Sequence, residues 1–461
     1  FSNCSALTTI TLPGTLKLGE EGKDEFDLSI FSGCGKLTNI IFDNHPTYES
    51  VDGVVFTDEG KTLVYYPTTR ADESYTVPAG VTAIAPQAFA GNTKLKNVVL
   101  PSGLVTIGNN AFNGCTALAS INIPNTVTLI DDGAFNGCAS LSELTFETGN
   151  DKVGLFIGSG DHPTGTMNNN NAEVDMRFAY TDVFADTYSL THIDFPTRLV
   201  KIEDRAFWNS GLQSMTFGAS SLLTEIGDFA FRASDLKSVT LPEGLTTIGN
   251  FAFYECVSLE SVSLPASLTT MKRYAFAECE KLSSVTFAAG CKLAALSNGV
   301  FALCTSLKSI QLPAGIETIA DSDNTGIIDL SNLKVSSTVS YVDTRPFYGC
   351  ADLSSITFEV GSKLKTIGKY GLAHLDGLTT LSLPEGVETI GERAIEGNEL
   401  FTQFTIPGTV TEIGNYAFYN MKGLTKIVIP ASVKTLGTYV FNGCSELVTV
   451  ELAQGYNITA F

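Results

Sequence analysis

The apolar residues of this chain fall into a pattern that restarts every 23 residues. Reading from Ala88, the order Ala-Phe-x-Gly-Cys-x-x-Leu-x-x-Ile-x-Leu-Pro-x-x-Leu-x-x-Ile-Gly-x-x brings a large aromatic residue back at Phe89, Phe112 and Phe135. The same place is filled by Phe184, Phe207, Phe231, Phe253, Phe276, Phe301 and Phe347, passes to Leu372 and Ile395, and returns to Phe418 and Phe441. Two steps are close to doubled periods, 49 residues from Phe135 to Phe184 and 46 from Phe301 to Phe347. Within one period the pattern changes character. In Leu118-Ala-Ser-Ile121-Asn-Ile123, apolar Ile121 and Ile123 alternate with Ser120 and Asn122, the period-two signature of a strand with one buried face. A proline then closes the strand, at Pro13, Pro101, Pro124, Pro242, Pro265, Pro313, Pro384, Pro407 and Pro430, where its missing N–H takes no bond from a ladder. The second half, such as Leu245-x-x-Ile248-Gly249, turns the chain back. Glycine at 108, 227, 249, 368, 391 and 414 admits either a positive φ or a close backbone approach at that corner. The phased Phe reads as the large filler of the interior.

A period of ~20 to 29 residues built on Leu-x-x-Leu-x-Leu marks a leucine-rich repeat solenoid, in which each unit adds one strand to a continuous parallel sheet. The expected fold is a β-rich, right-handed superhelix with that sheet on one face and short turns or strands on the other. One array over residues 1–461 is expected, with about twenty turns if the whole length is divided by the period. Three insertions interrupt it: a charged loop at 16–30, a β-hairpin variant at 43–77 and an irregular, mobile loop at 147–182. The hairpin is predicted from the strand-like runs Tyr48 to Thr57 and Thr62 to Tyr66 on either side of Asp58-Glu-Gly-Lys61. Residues 319–346 read as a degenerate repeat that fills the second half of the 46-residue step.

Composition narrows the partners. The chain has 461 residues, 44% apolar, with only 17% charged and 28 Lys plus Arg against 49 Asp plus Glu, a formal charge of −21. That balance argues against nucleic acid and against anionic membrane surfaces. No run of ~18 apolar residues is present to span a bilayer. Nine of the ten cysteines (Cys4, Cys34, Cys115, Cys138, Cys256, Cys279, Cys304, Cys350 and Cys444) sit three residues after a Phe, and Cys291 stands apart. Equivalent residues of stacked turns lie ~4.8 Å apart with parallel Cβ vectors, whereas a disulfide needs Cβ atoms ~3.8 Å apart and converging. A buried ladder of reduced thiols is therefore expected, and it carries no information on redox compartment.

No catalytic or metal constellation is assembled in sequence. The histidines are His45, His162, His192 and His374, and none sits in phase with the cysteines. His192 and Asp194 are the two outward positions of one strand, next to outward Ser214 and Thr216 of the following turn, and they read as a solvated surface pair. The stretch from Asp321 to Asn332 resembles the first nine positions of a calcium-binding EF-hand loop, but its twelfth place holds Asn332 instead of the bidentate Glu. It also fits the repeat, with Asn324 in the Phe place and Leu330-x-x-Leu333-x-Val335 as strand. No cofactor is expected. The candidate ligand-binding face is the outward row of the longer strands: Ser214, Thr216, Ser238, Thr240, Ser261, Ser263, Ser284 and Thr286, continuing toward Gln403 and Thr405. It is rich in hydroxyls and lacks the Trp, Tyr and Arg favoured at protein hot spots. A second row, Phe229, Phe251, Tyr274, Tyr370, Tyr416 and Tyr439, precedes the phased Phe and reads as packing along the core edge. The only tryptophan, Trp208, follows Phe207.

The repeats Ala134-Phe-Asn-Gly-Cys138-Ala-Ser-Leu141 and Ile413-Gly-Asn-Tyr-Ala-Phe418 resemble the BspA-type leucine-rich repeats of bacterial surface proteins. So does the hairpin segment Val51-Asp-Gly-Val-Val-Phe-Thr with Lys61-Thr-Leu-Val-Tyr-Tyr-Pro67. The resemblance covers nearly the whole chain. It implies a secreted or surface-anchored protein of gut or oral anaerobes, with adhesion to matrix proteins such as fibronectin and fibrinogen in some members. The partner expected on that basis is an extracellular matrix-type protein or a glycan, bound by a monomer without membrane insertion; the alternative role is a spacer that presents another domain. Residue 1 falls inside a repeat and neither end carries a polar capping unit, so a leader and further regions are expected outside this chain.

Overall fold

In the computed structural model the chain is a parallel β-solenoid of about 15 turns. The structure describes residues 1, 3–16, 31, 34–57, 59–149, 154–158, 182–320, 327–329, 341–343 and 345–455, and among them there is no α-helix. Two compact units, Phe1–Leu223 and Thr224–Phe461, divide what the sequence presents as one array.

Each turn has three sides. The first is the strand read from the alternating pattern. In the first unit Ser74–Thr76, Asn97–Val99, Ser120–Ile123 and Glu143–Phe146 form one parallel sheet. Its register pairs Ile121 with Leu144 and Asn122 with Thr145, one period apart. Ile121, Ile123 and Leu144 are buried, while Asn122 and Thr145 face solvent. In the second unit Ser238–Thr240, Ser261–Leu264 and Ser284–Phe287 repeat the arrangement. The second side is a ladder of two-residue strands, such as Thr106–Ile107 and Leu129–Ile130 in the first unit and Thr366–Ile367, Thr389–Ile390 and Glu412–Ile413 in the second.

The third side is a tight corner around the phased Phe, and it too is a hydrogen-bonded ladder. The N–H of Phe112 donates to Ala134 O at 2.7 Å and that of Phe253 to Ala275 O at 2.8 Å. The residues two before and two after the Phe do the same, as in Phe251 N to Arg273 O at 3.0 Å and Glu255 N to Ala277 O at 3.1 Å. Left-handed backbone at these flanking places turns the N–H groups toward the next turn. Asn110, Phe251, Glu255, Tyr274 and Tyr416 have φ of 53°, 55°, 59°, 57° and 55°. Left-handed backbone costs a side-chain-bearing residue ~1–2 kcal/mol, an amount comparable to the hydrogen bond it makes possible. Inside the corner the phenyl rings stack, Phe89 on Phe112 at 4.7 Å, Phe112 on Phe135 at 5.1 Å and Phe253 on Phe276 at 4.9 Å. All of these rings are fully buried.

The cysteines complete the corner. All ten are free; eight are buried, Cys444 is half-buried and Cys4 exposed. Each buried ladder thiol points at the carbonyl of the preceding turn's phased residue: Cys115 Sγ donates to Phe89 O at 3.1 Å, Cys138 to Phe112 O at 3.2 Å and Cys279 to Phe253 O at 3.2 Å. That carbonyl already accepts the N–H of its own turn, Cys115 N to Phe112 O at 3.0 Å, so the thiol occupies its second lone pair. Where Asn398 takes the Cys place a donor to the preceding turn persists, Asn398 Nδ2 reaching Leu372 O at 2.9 Å, whereas Thr187 Oγ1 donates within its own turn to Phe184 O at 2.7 Å.

Several readings change against the structure. The two long steps are single turns with insertions. Phe135 stacks directly on Phe184 at 5.1 Å, and Phe301 directly on Phe347 at 6.0 Å, with Phe301 N bonded to Pro346 O. Strand Ser309–Leu312 likewise pairs with Ser355–Phe358. The described parts of residues 319–346 form an antiparallel pair, Ile327–Asp329 with Tyr341–Asp343, which is not the path of a degenerate repeat. The estimate of twenty turns is too high for that reason. Most of the EF-hand-like stretch, and most of the insertions at 16–30 and 147–182, lie outside the described residues. In the hairpin variant the first run folds on itself at Asp52-Gly53, with φ of 50° and 77°, so that Tyr48–Val51, Val54–Thr57 and Thr62–Tyr65 make a three-stranded antiparallel ribbon. The corner glycines act by close approach. An added Cβ would lie 2.8 Å from Ile84 O at Gly108 and 2.5 Å from Gly227 C at Gly249, and neither glycine has a positive φ.

Positive φ and crowding separate cleanly at other glycines. Gly137 has φ of 68°, yet an added Cβ would meet nothing closer than 3.7 Å. Gly137→Ala is expected to cost ~1–2 kcal/mol through backbone strain alone, and Gln87→Gly, at an exposed φ of 59°, to be stabilising or neutral; urea midpoints of the two variants moving in the same direction would contradict this. The thiols give a pH test. Burial pushes the Cys115 and Cys350 thiols up to about 12, whereas an unfolded thiol ionises near ~8.5. Their contribution is fully present below pH ~8.5 and is lost as pH rises toward 12, at ~1.4 kcal/mol per pH unit for each thiol. Urea midpoints should fall between pH 8.5 and 11, with a shallower slope in Cys115→Ala and Cys350→Ala.

Candidate functional site

The hydroxyl rows follow from register. In the second unit Ser238 stands beside Ser261 and Ser261 beside Ser284, while Thr240 stands beside Ser263 and Ser263 beside Thr286. Ser238, Thr240, Ser263, Ser284 and Thr286 are exposed and Ser261 is half-buried. The hydroxyls are partly self-engaged: Thr286 Oγ1 donates to Ser263 Oγ at 3.1 Å and to Val262 O at 3.3 Å. Farther along, the row is interrupted. Residues 379–383 carry no strand, and a cleft of about 480 Å³ opens there, lined by Thr357, Phe358, Ser382, Pro384 and Glu385 among others.

Ser214 and Thr216 belong to the first unit, on Ser214–Phe217, and pair with His192 and Asp194. They form a closed polar cluster. His192 Nδ1 lies 2.7 Å from Ser214 Oγ, His192 Nε2 lies 3.1 Å from Asp194 Oδ1, and Thr216 Oγ1 donates to the same carboxylate oxygen. The hydrogen bond from Thr216, followed by that from His192, holds the Asp194 carboxyl below the usual carboxylate range. The order Ser, His, Asp invites comparison with a nucleophilic triad. Both strands, however, spend their backbone on the parallel ladder, and the His and Asp side chains are 48% and 76% exposed. The sequence reading set Ser214 and Thr216 beside this solvated pair, and the structure joins the four side chains by hydrogen bonds.

The aromatic row lies on the outer side of the corner. In its first part it is packed: Phe229 stacks on Phe251 at 4.9 Å and Phe251 on Tyr274 at 4.8 Å, with Phe251 and Tyr274 buried beside Tyr254. In its second part it is open. Tyr370, Tyr416 and Tyr419 are half-buried, and Tyr439 is 60% exposed. Arg393 takes the row's place between Tyr370 and Tyr416, a residue the aromatic pattern could not flag. Trp208 is half-buried with Arg205 over its ring at 3.8 Å. Among the described residues no group of three or more His, Cys, Asp or Glu side chains is arranged to hold a metal ion, and no helix is long and apolar enough to cross a membrane.

The chain is similar to a leucine-rich repeat protein of Bacteroides ovatus, at 21% identity and a TM-score of 0.49 over 85% of this chain and 90% of that one. It is similar to a leucine rich cell surface protein of Faecalibacterium prausnitzii, at 18% identity and a TM-score of 0.39 over 88% and 95% of the two chains. A leucine-rich repeat protein of Eubacterium ventriosum gives 16% identity and a TM-score of 0.37 over 85% and 84%. No curated protein matches the sequence. The model of the BspA type leucine rich repeat region matches in six copies, over residues 1–62, 64–158, 179–294, 224–344, 294–421 and 324–448. With the period, the stacked corners and the parallel ladders, that match places the chain in the BspA-type leucine-rich repeat family.

Proposed function

We propose that the chain is a non-enzymatic recognition or adhesion module that works outside the cell and binds an extracellular protein or a glycan through the solvent face of its longer strands. The observation that carries this reading is the register that sets Ser238, Ser261 and Ser284 in one row and Thr240, Ser263 and Thr286 in another. A stacked ladder of this kind is ordered before it meets a partner, so little conformational entropy is lost on binding, and a repeating face suits an extended ligand. The location outside the cell follows from what the family resemblance implies. A spacer role is favoured by one specific observation, that Thr286 already spends its hydroxyl on its own neighbours.

The two roles part on an array of matrix proteins, fibronectin and fibrinogen included, and of glycans. For a recognition module, wild-type binding should weaken at least tenfold, ~1.4 kcal/mol, when Ser238, Thr240, Ser263 and Thr286 are replaced together by Lys. Uniformly blank arrays would sink recognition by this face and leave the spacer.

A further inference from the structure

Resting on the recognition reading, we propose that the open corner at Tyr370, Arg393, Tyr416 and Tyr439 is a binding strip for a neutral, linear oligosaccharide. The four residues hold equivalent places in four successive turns, with left-handed φ of 58°, 54°, 55° and 56°. Arg393 is the centre: its guanidinium carbon lies 4.4 Å from the Tyr416 ring centre, 5.4 Å from that of Tyr419 and 6.0 Å from that of Tyr370. Glu396, only 8% exposed, fixes it through Arg393 Nη1 at 2.7 Å and faces His374 Nε2 at 3.6 Å. Tyr416 stacks on Tyr439 at 5.1 Å and meets Tyr419 edge-on at 5.7 Å.

Three features select the ligand. Among the described residues the hydroxyls of Tyr370, Tyr416, Tyr419 and Tyr439 have no hydrogen-bond partner, so each is free to donate and accept at once, as a sugar hydroxyl requires. Charge is locally balanced, Lys369 against Glu392 at 3.1 Å and Arg393 against Glu396, within a chain of −21; a neutral ligand pays no charge penalty there. Equivalent side chains one turn apart offer the same contact repeatedly, which matches a polymer of identical units. The same turns are where the interior departs from its pattern, with Leu372 and Ile395 in the Phe place and Leu375 and Asn398 in the Cys place.

Maltohexaose, cellohexaose, xylohexaose and laminarihexaose titrated calorimetrically into the full chain test the proposal. At least one should bind, and Tyr439→Ala and Arg393→Ala should each weaken it tenfold or more. Tyr439 is exposed, so its variant keeps the wild-type melting temperature, and Tyr439→Phe should retain more affinity than Tyr439→Ala. The site is overturned if none of the four binds, if binding is indifferent to both alanine variants, or if those variants instead abolish capture on immobilised fibronectin, which would make the strip a protein hot spot. Sugar binding lost only in the Ser and Thr to Lys variant removes this strip and leaves the recognition reading standing; blank results in both experiments remove the reading itself.

Discussion

A single turn of this solenoid cannot bury its own apolar face, and the interaction that joins the corners of successive turns is a hydrogen-bonded ladder. Three N–H groups per turn, at the phased residue and two places to either side, donate to carbonyls of the following turn. The geometry requires left-handed backbone at both flanking places, a cost carried by Gly where the corner is crowded or bare, and by Asn, Phe, Tyr and Arg where a side chain is displayed. Phenyl stacking and thiol hydrogen bonds from below offset that cost. Cys suits its place because it is small, apolar enough for a dry interior and still a donor, and Asn398 keeps a donor to the preceding turn where Cys is replaced.

The same ladder decides what the surface can present. Because register is fixed turn by turn, outward residues form rows rather than scattered contacts, and the identity of a row can change along the chain without disturbing the core. The strand face keeps hydroxyls. The corner changes from buried Phe251 and Tyr274 to the open group around Arg393, with no alteration of the backbone that carries it. Strain held at these corner places thus serves display as well as stacking.

Much of this was legible in sequence. The period gave the parallel sheet, the alternation gave the buried Ile121 and Ile123, and the phase of the cysteines gave a thiol ladder without bridges. Three things were not legible, each for a physical reason. The corner ladder depends on the sign of φ, and at its flanking places Gly137, Asn110, Phe251 and Arg393 share a conformation but no chemistry. The long steps looked like doubled periods because length alone does not reveal which turns touch; Phe301 on Phe347 does. The Tyr370 to Tyr439 row was visible as aromatics, but its centre is an arginine and Tyr419 belongs to a different place in the turn, so only contact geometry brings them together.

Native-state hydrogen exchange tests the central claim most directly. If the corner is a ladder between turns, the amides of Phe251, Phe253 and Glu255 are protected to a degree similar to that of the strand amides of Val262 and Thr270, although they sit in a turn. Exchange of the three corner amides at the rate of an open loop, with the strand amides still protected, would contradict it.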